Sequence, residues 1–101
     1  MPLGRILDGM VYVVERYLPG LSKSNLLRTL PELERATEEL RQEGSAVRYL
    51  GSTIVLEDEA CFCEFDAPSE ASVVEANRRA GLAFDRIVPA LAVRPTKGEV
   101  R

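Results

Sequence analysis

Residues Ala60 to Ile87 read ACFCEFDAPSEASVVEANRRAGLAFDRI, and this stretch decides the fold. Ala60 to Asp66 alternates small and aromatic side chains with acids, the period of a half-buried strand. Pro68-Ser69 opens a helix, because the Ser69 hydroxyl can accept from an orphan backbone N–H and Glu70 suits the positive end of the dipole. Val73, Ala76, Asn77 and Ala80 recur at helical spacing, and Gly81 supplies the left-handed residue that ends the helix. A turn over Leu82 to Asp85 leads into a strand from Ile87 to Val93, where Pro89 points to a sheet edge.

Upstream the same rhythm occurs once more. Met10 to Tyr17 (MVYVVERY) is rich in β-branched and aromatic residues and reads as a strand. Leu18-Pro19-Gly20 breaks it. Ser22 or Ser24 can cap the next helix, whose Leu26, Leu30, Leu33 and Leu40 form an apolar stripe. Pro31 lacks an N–H and clashes with the preceding turn, so this helix should fall into two pieces, the second running from Pro31 to Glu43. Glu32, Arg35, Glu38, Glu39, Arg41 and Gln42 read as its solvated face, and Gly44 as its stop. Ala46 to Leu56 is the second strand, with Gly51 marking a bulge, and Glu57-Asp58-Glu59 is a hairpin turn. The order is β-α-β-β-α-β, an α+β ferredoxin-like arrangement. Right-handed crossovers put both helices on one face of a four-stranded antiparallel sheet. One domain spans 1–101, with its core over 10–93 and loosely held ends at 1–9 and 95–101.

Composition narrows the function classes. At 101 residues the chain suits one core, burying roughly 65% of the unfolded surface. A net charge of -3 gives no long-range attraction for nucleic acid or an anionic membrane. RNA-recognition domains share this topology, but their third strand is basic and carries spaced aromatics, whereas here it is the acidic ACFCEFD. No apolar run approaches a membrane span, and the N-terminus lacks the pattern of a signal peptide, so a cytoplasmic location is expected. Two cysteines in such a chain read as reduced thiols.

Alternation sorts the strand residues into faces. Cys61, Cys63 and Phe65 share one side, and Phe62, Glu64 and Asp66 the other. On the first strand Val11 and Val13 oppose Tyr12, Val14 and Arg16. Placing the small apolar set beneath the helices leaves Tyr12, Val14, Arg16, Phe62 and Glu64 on the bare face. A second copy covering that face would enclose a cavity lined by Tyr12, Arg16, Phe62 and Glu64. Glu64 is then the candidate proton-transfer group, against the plainer role of an interface ion pair. Cys61 and Cys63 are candidate metal ligands, against the plainer role of small core residues. A metal site wants three or four ligands, and this chain has no histidine. Asp85-Arg86 reads as a turn-fixing pair and Arg78-Arg79 as solvated helix surface.

The segments YVVER with LPG, VLEDEACFCEFDAPS and VVEANRRAGLAFDRIV resemble a family of small bacterial proteins, formerly a domain of unknown function and now described as nickel-binding-protein-like. The resemblance covers roughly Met10 to Val93. It implies a ferredoxin-like fold, a dimeric α/β barrel and nickel as the metal to test. Members often carry a histidine within the stretch matching Val74 to Asn77, and proline where Ala83 stands; this chain has neither. The resulting expectation is a homodimeric ligand- or metal-responsive accessory protein. One alternative is a cofactor-independent enzyme of the dimeric barrel type, resembling monooxygenases or isomerases and using Glu64. Another is a protein-interaction module.

Overall fold

The structure is a computed structural model, and it describes residues 4–6, 10–20 and 23–95. Its elements are β1 (Gly4–Ile6), β2 (Met10–Tyr17), α1 (Lys23–Thr29), α2 (Pro31–Gln42), β3 (Arg48–Val55), β4 (Ala60–Ala67), α3 (Glu70–Ala80), β5 (Arg86–Ala90) and β6 (Val93–Pro95). Four strands form one antiparallel sheet in the order β3-β4-β2-β5. With helices joining β2 to β3 and β4 to β5, this is an α+β fold with the strand order of the ferredoxin-like arrangement. Pro89 lies on the edge strand β5, where its missing donor costs no ladder bond.

Local chemistry accounts for the element ends. Pro31 occupies the first position of α2, and Leu30, with helical dihedrals, is the single residue between α1 and α2. Ser24 lies inside α1 rather than capping it, and Ser22 lies outside the described residues. The Ser69 hydroxyl accepts from the Ser72 N–H at 3.3 Å and caps α3. At the other end Gly81 sits at φ 72°, while its N–H bonds the Arg78 carbonyl and that of Leu82 bonds the Asn77 carbonyl. These two bonds make a Schellman closure that a side-chain-bearing residue would strain. In β3 the register shifts between Tyr49 and Gly51, with Gly51 at φ 141°, so the expected bulge is present.

The lead-in expected at residues 1–9 lies mostly outside the described residues; within it, Gly4–Ile6 pairs antiparallel with Val93–Pro95 as a separate two-stranded sheet. For the same reason the last strand does not run unbroken from Ile87 to Val93. Beyond Ala90 the chain leaves β2 and pairs with β1 instead. Most of the expected tail, residues 96–101, lies outside the described residues.

The larger correction concerns β2. Its register sets Tyr12 opposite Phe65, Val14 opposite Cys63 and Arg16 opposite Cys61. Directly paired residues share a face, so Tyr12, Val14 and Arg16 lie beneath the helices, and Val11, Val13 and Glu15 face the open side. Alternation defined the two sets correctly, but the smaller, wholly apolar set is not the covered one. The core joins Tyr12, Val14, Cys61, Cys63 and Phe65 to Leu26, Leu30, Leu33 and Leu40 of the first helical segment and Val73 and Ala76 of α3. Asn77, also fully buried, supplies the partner that lets a guanidinium enter this layer.

Candidate functional site

A polar cluster is built into the helix-covered side of the sheet. Arg16 is only 1% exposed. Its Nη1 donates to the Ala83 carbonyl at 3.1 Å, and its Nη2 donates to Asn77 Oδ1 at 2.5 Å. Asn77 is fixed in turn by donating its Nδ2 to the Val73 carbonyl at 2.8 Å. The same Arg16 Nη2 lies 3.7 Å from Cys63 Sγ. From β3, Ser52 Oγ donates to Cys63 Sγ at 2.8 Å. Having spent its proton on sulfur, Ser52 accepts from the Tyr49 hydroxyl at 2.5 Å. Cys61 Sγ is 3.7 Å from Cys63 Sγ, and both cysteines are 0% exposed.

The electrostatics follow from these contacts. A guanidinium stays charged in any protein, and burying it without a counter-ion is costly. No carboxylate among the described residues bonds Arg16; its acceptors are a carbonyl, an amide oxygen and a sulfur. Among the described residues the Cys63 thiol is the acidic group bonded to it. Hydrogen bonds from Cys61 and Ser52 and the Arg16 charge outweigh desolvation and lower its pKa to about 6. Cys61 is pushed up, since it donates to Cys63 and sits buried beside it. Burial also raises the Tyr49 hydroxyl.

The open face has different chemistry. Val13, Phe62, Glu64, Asp66 and Val88 are half-buried there. Glu15 is 7% exposed and accepts from Arg86 Nε at 2.9 Å, which holds its carboxyl below the usual range. Tyr17 stacks edge-on against Phe62 with ring centroids 6.4 Å apart. Asp85 fixes the turn before β5, as expected: its carboxylate accepts from the Tyr17 N–H at 2.6 Å. Arg79, read as solvated surface, instead links α3 to the end of α2, donating to both Glu43 carboxylate oxygens at 2.8 Å.

The residues expected to line one cavity are therefore divided. Phe62 and Glu64 face the open side, while Tyr12 and Arg16 lie beneath the helices. A proton-transfer site on Glu64 would have neither Tyr12 nor Arg16 beside it. The structure instead brings Arg16 to Cys61 and Cys63, with Ser52, Tyr49 and Asn77. Of these, Asn77 was legible in principle: an amide on an otherwise apolar helical stripe needs a buried partner.

The thiol pair is a poor match for nickel. Two sulfurs 3.7 Å apart are close enough to share an ion, but a complete site needs further ligands. The neighbouring polar groups are a hydroxyl, an amide and a phenol, and the fixed charge of Arg16 opposes a divalent cation. Among the described residues no three histidine, cysteine, aspartate or glutamate side chains cluster as a metal site. No helix among them is long and apolar enough to cross a membrane.

A family model described as nickel responsive protein SCO4226-like matches residues 12–89. No curated protein and no solved structure matches the chain.

Proposed function

The chain belongs to the nickel-responsive SCO4226-like family, and from that premise we propose that it is a homodimeric, ligand- or metal-responsive accessory protein that pairs through the open sheet face. One observation carries this reading. The helices pack on one side of the sheet only, and the other side presents Val13, Phe62 and Val88 around the nearly buried Glu15, which pairs with the exposed Arg86. Apolar strand residues of this kind favour a protein cover over water, and a second copy supplies one at no cost in new sequence. Two sheets meeting in this way would form the dimeric α/β barrel, whose interior carries the acids Glu15, Glu64 and Asp66 and the aromatic Phe62.

Native mass spectrometry with and without added nickel tests this proposal. The expected species is a dimer whose nickel uptake, if any, is unchanged by Cys61→Ser and Cys63→Ser, because the thiol cluster does not suit that ion. A monomer at micromolar concentration would overturn the pairing. Nickel uptake abolished by both cysteine substitutions would overturn the exclusion of the thiol cluster.

A further inference from the structure

The arginine–thiol cluster has no task in a dimer that responds through its open face. Three features set it apart from ordinary core packing. Among the described residues the buried guanidinium has no carboxylate bonded to it, and Arg16 Nε, itself buried, has no hydrogen-bond partner; Cys63 receives Ser52 Oγ at 2.8 Å and faces Arg16 Nη2 at 3.7 Å. Fully buried polar nitrogens are rarely left unpaired. Here the spare donor belongs to a side chain already turned to the sulfur.

We propose that Cys63 is a reactive thiolate, held as the counter-ion of Arg16, and that hydrogen peroxide oxidises it selectively to a sulfenic acid within the folded chain. The sulfur lone pair attacks one peroxide oxygen; the S–O bond forms as the O–O bond breaks. Hydroxide leaves and takes a proton from solvent. Sulfur thus loses two electrons, and peroxide is reduced to water. The product adds an oxygen beside Arg16 and Ser52, both donors. Cys61 is the neighbouring thiol, but two positions apart on one strand the pair lies at the limit of disulfide geometry, so the sulfenic acid is the expected end point.

The groups facing Cys63 all fit this role. From β2 comes Arg16, from β3 Ser52 and the Tyr49 hydroxyl behind it, and from β4 Cys61, whose thiol donates to Cys63. From α3 comes the neutral Asn77, and the buried residues of α2 (Leu33, Ala36, Thr37 and Leu40) carry no charge. The lowered Cys63 pKa is in accord with that geometry. A surface cavity of about 350 Å³, lined by Glu34, Thr37, Arg41, Arg48 and Tyr49, reaches the outer side of Tyr49. Tyr49 is hydrogen-bonded to Ser52, which bonds the Cys63 sulfur, so a chain of contacts links the cavity lining to the thiol.

The test is intact-mass and peptide mapping of the native protein after brief treatment with hydrogen peroxide, alongside the ultraviolet thiolate absorbance as pH is raised. The expected result is one added oxygen, trapped by a sulfenic-acid reagent on Cys63 before Cys61 reacts. A thiolate step near pH 6 should disappear in Cys63→Ser and persist, shifted upward, in Cys61→Ser. Arg16→Met should slow oxidation at pH 7 several-fold, because it removes the cation that favours the thiolate while Cys61 and Ser52 keep their hydrogen bonds to the sulfur. If that variant does not fold, Asn77→Asp gives the same readout, since a carboxylate beside Arg16 replaces sulfur as counter-ion and slows the reaction. Equal oxidation of both cysteines, oxidation only in denaturant, or no thiolate signal below pH 8 would overturn the proposal.

Discussion

The two faces of this one sheet solve opposite problems with the same alternating strands. On the covered face β2 places Tyr12, Val14 and Arg16, and both terminal nitrogens of the Arg16 guanidinium are tied to specific partners. On the open face the same strand places Val13 and Glu15, and Glu15 is met by a partly exposed ion pair to Arg86. The difference teaches that burial alone does not mark a site. A charge becomes chemically consequential where solvent cannot screen it and no carboxylate cancels it. Arg16 meets both conditions, and Arg86 meets neither.

Adjacent substitutions should separate the two faces most sharply. Val14→Asp buries an unpaired charge in the covered layer and should cost about 4 kcal/mol or more, read as a collapse of the denaturant midpoint. Its neighbour Val13→Lys should leave the monomer folded and act on association instead. Asn77→Ala removes the oxygen acceptor of Arg16 Nη2 and should cost about 1.5–3 kcal/mol in urea unfolding, because a buried charged donor is left with only the Cys63 sulfur at 3.7 Å.

The pH dependence of stability sharpens the contrast further. Cys63 has a folded pKa of about 6, below its ordinary value of 9.0, so the folded state binds fewer protons between these limits. Its contribution is therefore full above about pH 9 and is lost as pH falls through 6. Cys61 has the opposite sign: burial and its bond to Cys63 raise it, so its contribution is lost as pH rises above its unfolded value. Thermal melting across this range should show stability falling from pH 9 toward 6, and Cys63→Ala should flatten that slope. Glu15 contributes in a separate, acidic window. Arg86 lowers its pKa from 4.5, so its stabilisation is present above that value and fades below it. Glu15→Gln should remove only the acidic part.

The smallest effect belongs to the helix surfaces. Arg79 bridges to Glu43 and Glu75 where solvent screens the pairs, so Arg79→Ala should barely move the denaturant midpoint. A much larger loss would mean that the α2–α3 seam, rather than the sheet core, orders the helices.

Much of the fold was legible because its signals are local. The β-branched run of Met10–Tyr17, the Pro31 break, the Ser69 cap and the Gly81 stop each rest on one residue's own chemistry. The pairing of Gly4–Ile6 with Val93–Pro95 was not, since two three-residue strands carry no periodicity. The candidate site was half legible. Cys61, Cys63 and Glu64 could be assigned to faces of β4, but alternation in β2 is symmetric between its two sides. What decides the side is a set of contacts remote in sequence, from Arg16 to Cys63, Asn77 and Ala83. An apolar-first rule sends an arginine outward. Here an amide, a carbonyl and a thiol bring it in.

Sedimentation of the wild-type chain against Val13→Lys tests the division of labour between the two faces most directly. The account predicts a wild-type dimer, and a Val13→Lys monomer that keeps its far-ultraviolet spectrum and its reactive Cys63. A wild-type monomer, or a Val13→Lys dimer as tight as the wild type, would contradict it.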